Sequence, residues 1–97
     1  MAREPLSDAD VTAWLTEHTD WQLDDVGQLR RSIECPTFPD GIKLVDAVAV
    51  EAENADHHPD IDIRWRTVTF ALKTHSVKAL TQLDLSLAEK IEELAAR

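Results

Sequence analysis

The stretch Ile61-Asp62-Ile63-Arg64-Trp65-Arg66-Thr67-Val68-Thr69-Phe70-Ala71-Leu72 decides the fold. Apolar side chains fall on the odd positions 61, 63 and 65, then on the even positions 68, 70 and 72. Alternation with a period of two is the mark of a strand with one buried face, and a one-residue change of phase reverses that facing. Arg66-Thr67 is therefore expected to be a turn or bulge between two strands. Strands joined that closely pair antiparallel.

The same pattern appears upstream. Trp21 to Asp24 and Leu29 to Cys35 are two short extended runs separated by Asp25-Val26-Gly27-Gln28, where Gly27 can take the positive φ that a hairpin demands. Leu29, Arg31, Ile33 and Cys35 share one parity, with Arg31 the polar intruder on the apolar side.

Helical spacing surrounds both hairpins. Ser7 is placed to cap a helix running to about His18, with Asp10 as capping-box partner, Leu6 and Val11 as a staple, and Val11, Trp14 and Leu15 as the apolar face. Pro36 and Pro39 end the second strand, and from Asp40 to about Ala55 the residues Ile42, Val45, Ala49 and Ala52 recur at helical steps. A third helix is expected to begin near Thr81, boxed by Asp84, with Leu83, Leu87, Ile91 and Leu94 as its stripe and Glu89, Glu92, Glu93 and Arg97 on its solvated face. The order is α-β-β-α-β-β-α. Three amphipathic helices need one apolar surface, so the expected class is α+β, an antiparallel sheet with the helices on one face. The other face would carry Thr69, Ala71, Lys73 and His75, as a cleft, an interface or both.

With 97 residues, two glycines and 43% hydrophobic residues, positions 1–97 are expected to form one ordered domain. Ten basic residues against nineteen acidic ones give a formal charge of -9, which opposes direct binding to nucleic acid or to anionic membranes. Cys35 is the only cysteine, so no intramolecular disulfide can form, and a reducing compartment fits. The first residues, Met-Ala-Arg-Glu-Pro, lack an apolar signal core, and no later run is long enough to span a bilayer. A soluble cytoplasmic protein is the expectation.

The chemistry-bearing residues cluster around Asn54-Ala55-Asp56-His57-His58-Pro59. A zinc site needs three or four converging ligands at recognisable spacings, and neither H-x-x-x-H nor C-x-x-C occurs. Pro59 holds His58 extended, and neighbours in an extended segment point opposite ways, so no metal is expected here. Opposite pointing suits a pair in which one imidazole enters a pocket and the other meets a different part of a ligand or anchors the loop. Histidine exchanges protons near neutrality unaided, and His75 supplies a third ring. Glu53 and Asp56 are close enough in sequence to orient an imidazole. The same residues also suit a plain polar loop, Asp84 is explained by its cap, and Trp14, Trp21 and Trp65 suit core or interface positions.

Read as one string, Glu53-x3-His57-His58-Pro59-x5-Trp65-x9-His75-x8-Asp84 resembles the signature of the pterin-4a-carbinolamine dehydratases. Trp21, Arg31, the Ala-rich helix, Thr74-His75 and Leu87-Ala88 extend the resemblance over nearly the whole chain. One departure is Ile33-x-Cys35-x-x-Phe38, where members often carry F-x-F-x-x-F; it bears on core packing or oligomer contacts, not on the histidines. The resemblance implies a four-stranded antiparallel sheet with three helices on one side. It also implies dehydration of 4a-hydroxytetrahydrobiopterin to quinonoid dihydropterin without metal or redox cofactor. His57 and His75 would be the acid-base pair, and His58 would bind substrate or share proton transfer. Glu53, Asp56 and Asp84 would support the site, and Trp65 and Thr74 would contact substrate. Homodimers or homotetramers are implied as well. The alternative is a non-catalytic interaction protein of this fold, a dimerisation cofactor or an assembly factor, although such relatives commonly have degraded histidine motifs.

Overall fold

The computed structural model describes residues 3–97; Met1 and Ala2, which open the segment read above for a signal core, lie outside the described residues. The elements are α1 (Asp8–Glu17), β1 (Gln22–Leu23), β2 (Leu29–Glu34), α2 (Phe38–Ala55), β3 (Asp60–Arg64), β4 (Thr67–Leu72) and α3 (Gln82–Ala95). The strands form one antiparallel sheet in the order β1-β2-β4-β3, which is the expected α+β arrangement. Among the described residues no helix is long and apolar enough to cross a membrane.

The β3–β4 pairing follows the change of phase. Ile61 lies opposite Phe70 and Ile63 opposite Val68, so both apolar parities meet on the helix-covered face. The turn sits one residue earlier than expected, at Trp65-Arg66. Trp65 takes φ +54, a left-handed conformation that a bulky side chain rarely adopts, and Arg66 stacks its guanidinium 4.8 Å from the indole centre. Val68, Phe70 and Leu72 are fully buried beneath Val48 and Ala52 of α2 and Leu85, Ala88 and Ile91 of α3. At the other hairpin Gly27 has φ +79, as the turn requires.

Several boundaries and stripes differ from expectation. The first hairpin is shorter: β1 keeps only two residues, and Cys35 falls just outside β2, its N–H donating to the Arg66 carbonyl at 2.8 Å. Thr37 caps α2, so the helix starts at Phe38 and Pro39 sits inside its first turn, where a missing N–H costs nothing. The buried stripe of α2 is Gly41, Leu44, Val48 and Ala52 rather than Ile42, Val45, Ala49 and Ala52. Gly41 explains the rotation: a Cβ there would stand 3.2 Å from Val68 Cγ2, so the helix approaches the sheet along the edge that lacks a side chain. In α3, Asp84, Leu85, Leu87, Ala88 and Ile91 are buried, whereas Leu83 and Leu94 are only partly so.

Two residues assigned to the solvated face of α3 are structural. Glu89 accepts from Trp14 Nε1 at 2.9 Å, and Glu92 Oε1 accepts from Trp21 Nε1 at 2.9 Å and from Arg31 Nε at 2.6 Å. Arg31 is thus an intruder with a purpose: it ties β2 to α3 through a charge-assisted bond under the helix layer.

Candidate functional site

The site is assembled where the end of α2, the end of β4 and the start of α3 meet. Helix α2 terminates at Asp56 in a left-handed conformation (φ 49, ψ 45), with its N–H donating to the carbonyls of Ala52 and Glu53. His57 N–H then donates to Ala52 O at 3.0 Å, which closes the helix and swings the His57 ring inward. His57 is 7% exposed. His58, held extended before Pro59, faces outward, and its Nε2 lies 3.3 Å from Glu53 Oε2 in an open, solvent-screened pair. The opposite pointing expected of the two histidines is what the backbone produces.

The inward ring meets a carboxylate from 27 residues away: His57 Nε2 stands 2.6 Å from Asp84 Oδ1. Asp84 is 0% exposed, and it also boxes α3, its Oδ2 accepting the Thr81 N–H at 2.9 Å. That oxygen receives a second donor, Thr74 Oγ1, at 2.8 Å. Thr74 Oγ1 lies 2.7 Å from Thr81 Oγ1, which in turn accepts from Leu83 N–H at 3.2 Å. Thr74, Thr81 and Asp84 are all fully buried. Buried polar groups persist only when satisfied, and every oxygen of this cluster has a partner.

His75 follows Thr74 in a loop pinned by the Thr74–Ala79 bridge and by Lys78 N–H donating to His75 O at 3.2 Å. It is exposed. His57, His58 and His75 therefore belong to one end of the molecule, the first anchored and the other two exposed.

The remaining expected site residues fall as follows. Glu53 reaches His58, but the carboxylate that orients His57 is Asp84 and not Asp56, whose backbone serves as the α2 cap. Thr74 is enclosed, and its hydroxyl faces Asp84, so it supports the cluster from within. Trp65 stands at the other end of β3, roughly 16 Å from Asp60 at strand rise, and is 73% exposed. The structure does not bring Trp65 to the histidines of its own chain. Thr81 was legible only as a cap; the signal for more was the T-H pair ending β4 next to a T-x-x-D box opening α3. Among the described residues no three His, Cys, Asp or Glu side chains are grouped as ligands for one ion. Two larger concavities, one beside Leu44 and Leu94 and one beside Val11 and Leu80, are lined by no histidine.

Comparison with known proteins decides the ancestry of this arrangement. The sequence pattern of the family described as pterin 4 alpha carbinolamine dehydratase matches residues 4–94. The chain belongs to the pterin 4 alpha carbinolamine dehydratase family. Among family relatives, one from Mycobacterium sp. (strain KMS) is 53% identical over 92 residues, covering 95% of this chain and 97% of its own. One from Nocardia farcinica (strain IFM 10152) is 50% identical over 95 residues, covering 98% and 99%. Both are provisionally named pterin-4-alpha-carbinolamine dehydratase. A crystal structure described as a transcriptional coactivator/pterin dehydratase from Brucella melitensis superposes with a TM-score of 0.91 at 28% identity, over 95% of this chain and 99% of that one. A pterin dehydratase-like protein described as a RuBisCO assembly factor in the alpha-carboxysome shares the fold, with a TM-score of 0.67 at 19% identity over 80% and 92%.

Proposed function

We propose that this member of the dehydratase family is an active 4a-hydroxytetrahydrobiopterin dehydratase serving tetrahydrobiopterin recycling. One observation carries the proposal: a buried carboxylate holds one imidazole, His57, beside two exposed ones, His58 and His75, at a single end of the fold.

The reaction removes water across C4a and N5. The C4a–O bond breaks with its electron pair on oxygen, an acid protonates that oxygen, a base takes the N5 proton, and the N5 electron pair forms C4a=N5. Protons given and taken balance, so two imidazoles in opposite protonation states suffice, and the chemistry calls for no metal or redox cofactor. His57 and His75 are assigned as the acid-base pair. His58, steadied by Glu53, binds the pterin or shares proton transfer. Asp84 orients His57 as a carboxylate orients a working histidine elsewhere. Asp56 acts through the backbone turn that aims His57.

The working unit is proposed to be a cytoplasmic homodimer or homotetramer without direct nucleic-acid contact. Ile61 and Ile63, 38% and 39% exposed on the edge strand β3, support self-association. Trp65 would contact substrate only from a second copy. Elution as a monomer in size exclusion removes this part.

The second reading is a non-catalytic interaction protein, favoured by the double description of the Brucella melitensis structure. Freshly generated 4a-hydroxytetrahydropterin distinguishes the two. Dehydration faster than the spontaneous rate is expected; no acceleration by folded protein selects the interaction role.

A further inference from the structure

The hydrogen bonds around Asp84 can be given directions, because each hydroxyl has one proton to donate. Thr74 commits its proton to Asp84 Oδ2. In the 2.7 Å contact between the two threonines, the proton therefore belongs to Thr81 and the accepting lone pair to Thr74. Thr81 Oγ1 is itself an acceptor for Leu83 N–H, which fits a hydroxyl whose own proton points to Thr74. The chain runs one way: Leu83 N–H to Thr81, Thr81 O–H to Thr74, Thr74 O–H to Asp84. With Thr81 N–H also on Oδ2, that oxygen is filled by donors and Oδ1 is left for His57. A carboxylate has no proton to give, so His57 Nε2 must donate.

We infer that the Asp84 carboxylate fixes the tautomer of His57, with its proton on Nε2, so that this histidine exchanges protons with a ligand through Nδ1, and that Thr74 and Thr81 are positioning residues that hold this carboxylate. The threonines touch no substrate. With the Thr81 N–H they occupy Oδ2 and hold the Asp84 carboxylate with Oδ1 toward the ring. Of the open alternatives for His57, this selects the atom: the N5 or C4a-oxygen proton passes at Nδ1, and Nε2 stays with Asp84. The assignment of the tautomer stands on the geometry alone; its consequence for turnover rests on the dehydratase reading.

The test is a long-range 1H–15N correlation spectrum of the 15N-labelled full chain without ligand, at a pH where the ring is neutral, which distinguishes the two tautomers. Wild type is expected to show His57 with the proton on Nε2. Thr74→Val removes one of the donors on Oδ2 and keeps the shape; the carboxylate still only accepts, so the Nε2–H tautomer should persist, while its looser placement should lower kcat about 10-fold to 10²-fold with KM within about twofold, and an unchanged kcat in the folded variant would remove the positioning role of Thr74. Thr74→Ser should recover most of kcat. Asp84→Asn should reverse the tautomer, because the amide turns its NH2 to the ring while its oxygen keeps the Thr74 and Thr81 donors. A wild-type ring protonated on Nδ1 overturns the inference even if no variant folds, and so does an unchanged tautomer in Asp84→Asn. The Nε2–H tautomer in a protein without any turnover would uphold the inference and refute the dehydratase reading instead.

Discussion

Asp84→Ala removes one acceptor group and strands three donors: His57 Nε2 at 2.6 Å, Thr74 Oγ1 at 2.8 Å and Thr81 N at 2.9 Å. A buried donor left without a partner costs about 1–3 kcal/mol. Rotation of the Thr74 hydroxyl and entry of a water into the space left by the carboxylate offset part of the total, so the expected loss is roughly 3–5 kcal/mol. That is a large fraction of the roughly 5–15 kcal/mol that holds a domain folded. With a urea m-value of about 1.5 kcal/mol/M, the unfolding midpoint should fall by about 2–3 M. A double-mutant cycle shows whether the residues act as a unit. Thr74→Val alone leaves the carboxylate two donors and costs roughly 1–2 kcal/mol. In the Asp84→Ala background the hydroxyl already lacks that acceptor and only its acceptance of the Thr81 O–H is lost, so the same change should cost about 1 kcal/mol less. The coupling is then about 1 kcal/mol. Additivity of the two changes to within about 0.5 kcal/mol, or an Asp84→Ala loss below about 1 kcal/mol, would refute the picture of a dry, mutually satisfied cluster.

Three other outcomes are expected. His57→Ala and His75→Ala should each lower the dehydration rate by about 10²-fold or more in single-turnover assays on the carbinolamine, and near-wild-type rates in both folded variants would remove the assignment. Glu92→Ala should cost about 2 kcal/mol in thermal or urea melts and alter Trp21 fluorescence, because the Trp21 indole N–H and the Arg31 Nε–H both lose their acceptor; Glu93→Ala, which loses only exposed pairs with Lys90 and Arg97, should cost less than about 0.5 kcal/mol. Asp24 has its carboxyl held below the usual carboxylate value of 3.8: burial works against this, but backbone N–H donors from Gln28 and Val26, with Arg30, outweigh it. Its contribution is present above that value and lost as pH falls through the depressed one, so acid titration followed by amide exchange should open the β1–β2 turn, and Asp24→Asn should flatten that dependence.

The sequence alone determined what depends on neighbours along the chain. Period-two alternation set the strands and their facing, the phase change placed the β3–β4 turn to within one residue, and the Ser7 and Thr81 caps marked two helix starts because capping is a local hydrogen bond. Pro59 and the end of α2 likewise determined that His57 and His58 point apart. What spacing could not decide is set by contacts between distant elements. The α2 stripe rotated toward Gly41 because close packing on Val68 outweighs the similar apolarity of alanine and valine on both flanks. Glu92 left the solvated face because Arg31 and Trp21 waited beneath it. Asp84 read as a cap, and it is one, but only the packing of α3 against the end of α2 delivers its second oxygen to His57 and makes a local cap into the anchor of the site. The family resemblance implies that Asp84 supports the site, but which imidazole it meets, across 27 residues, is decided only once both helices are seated on the sheet.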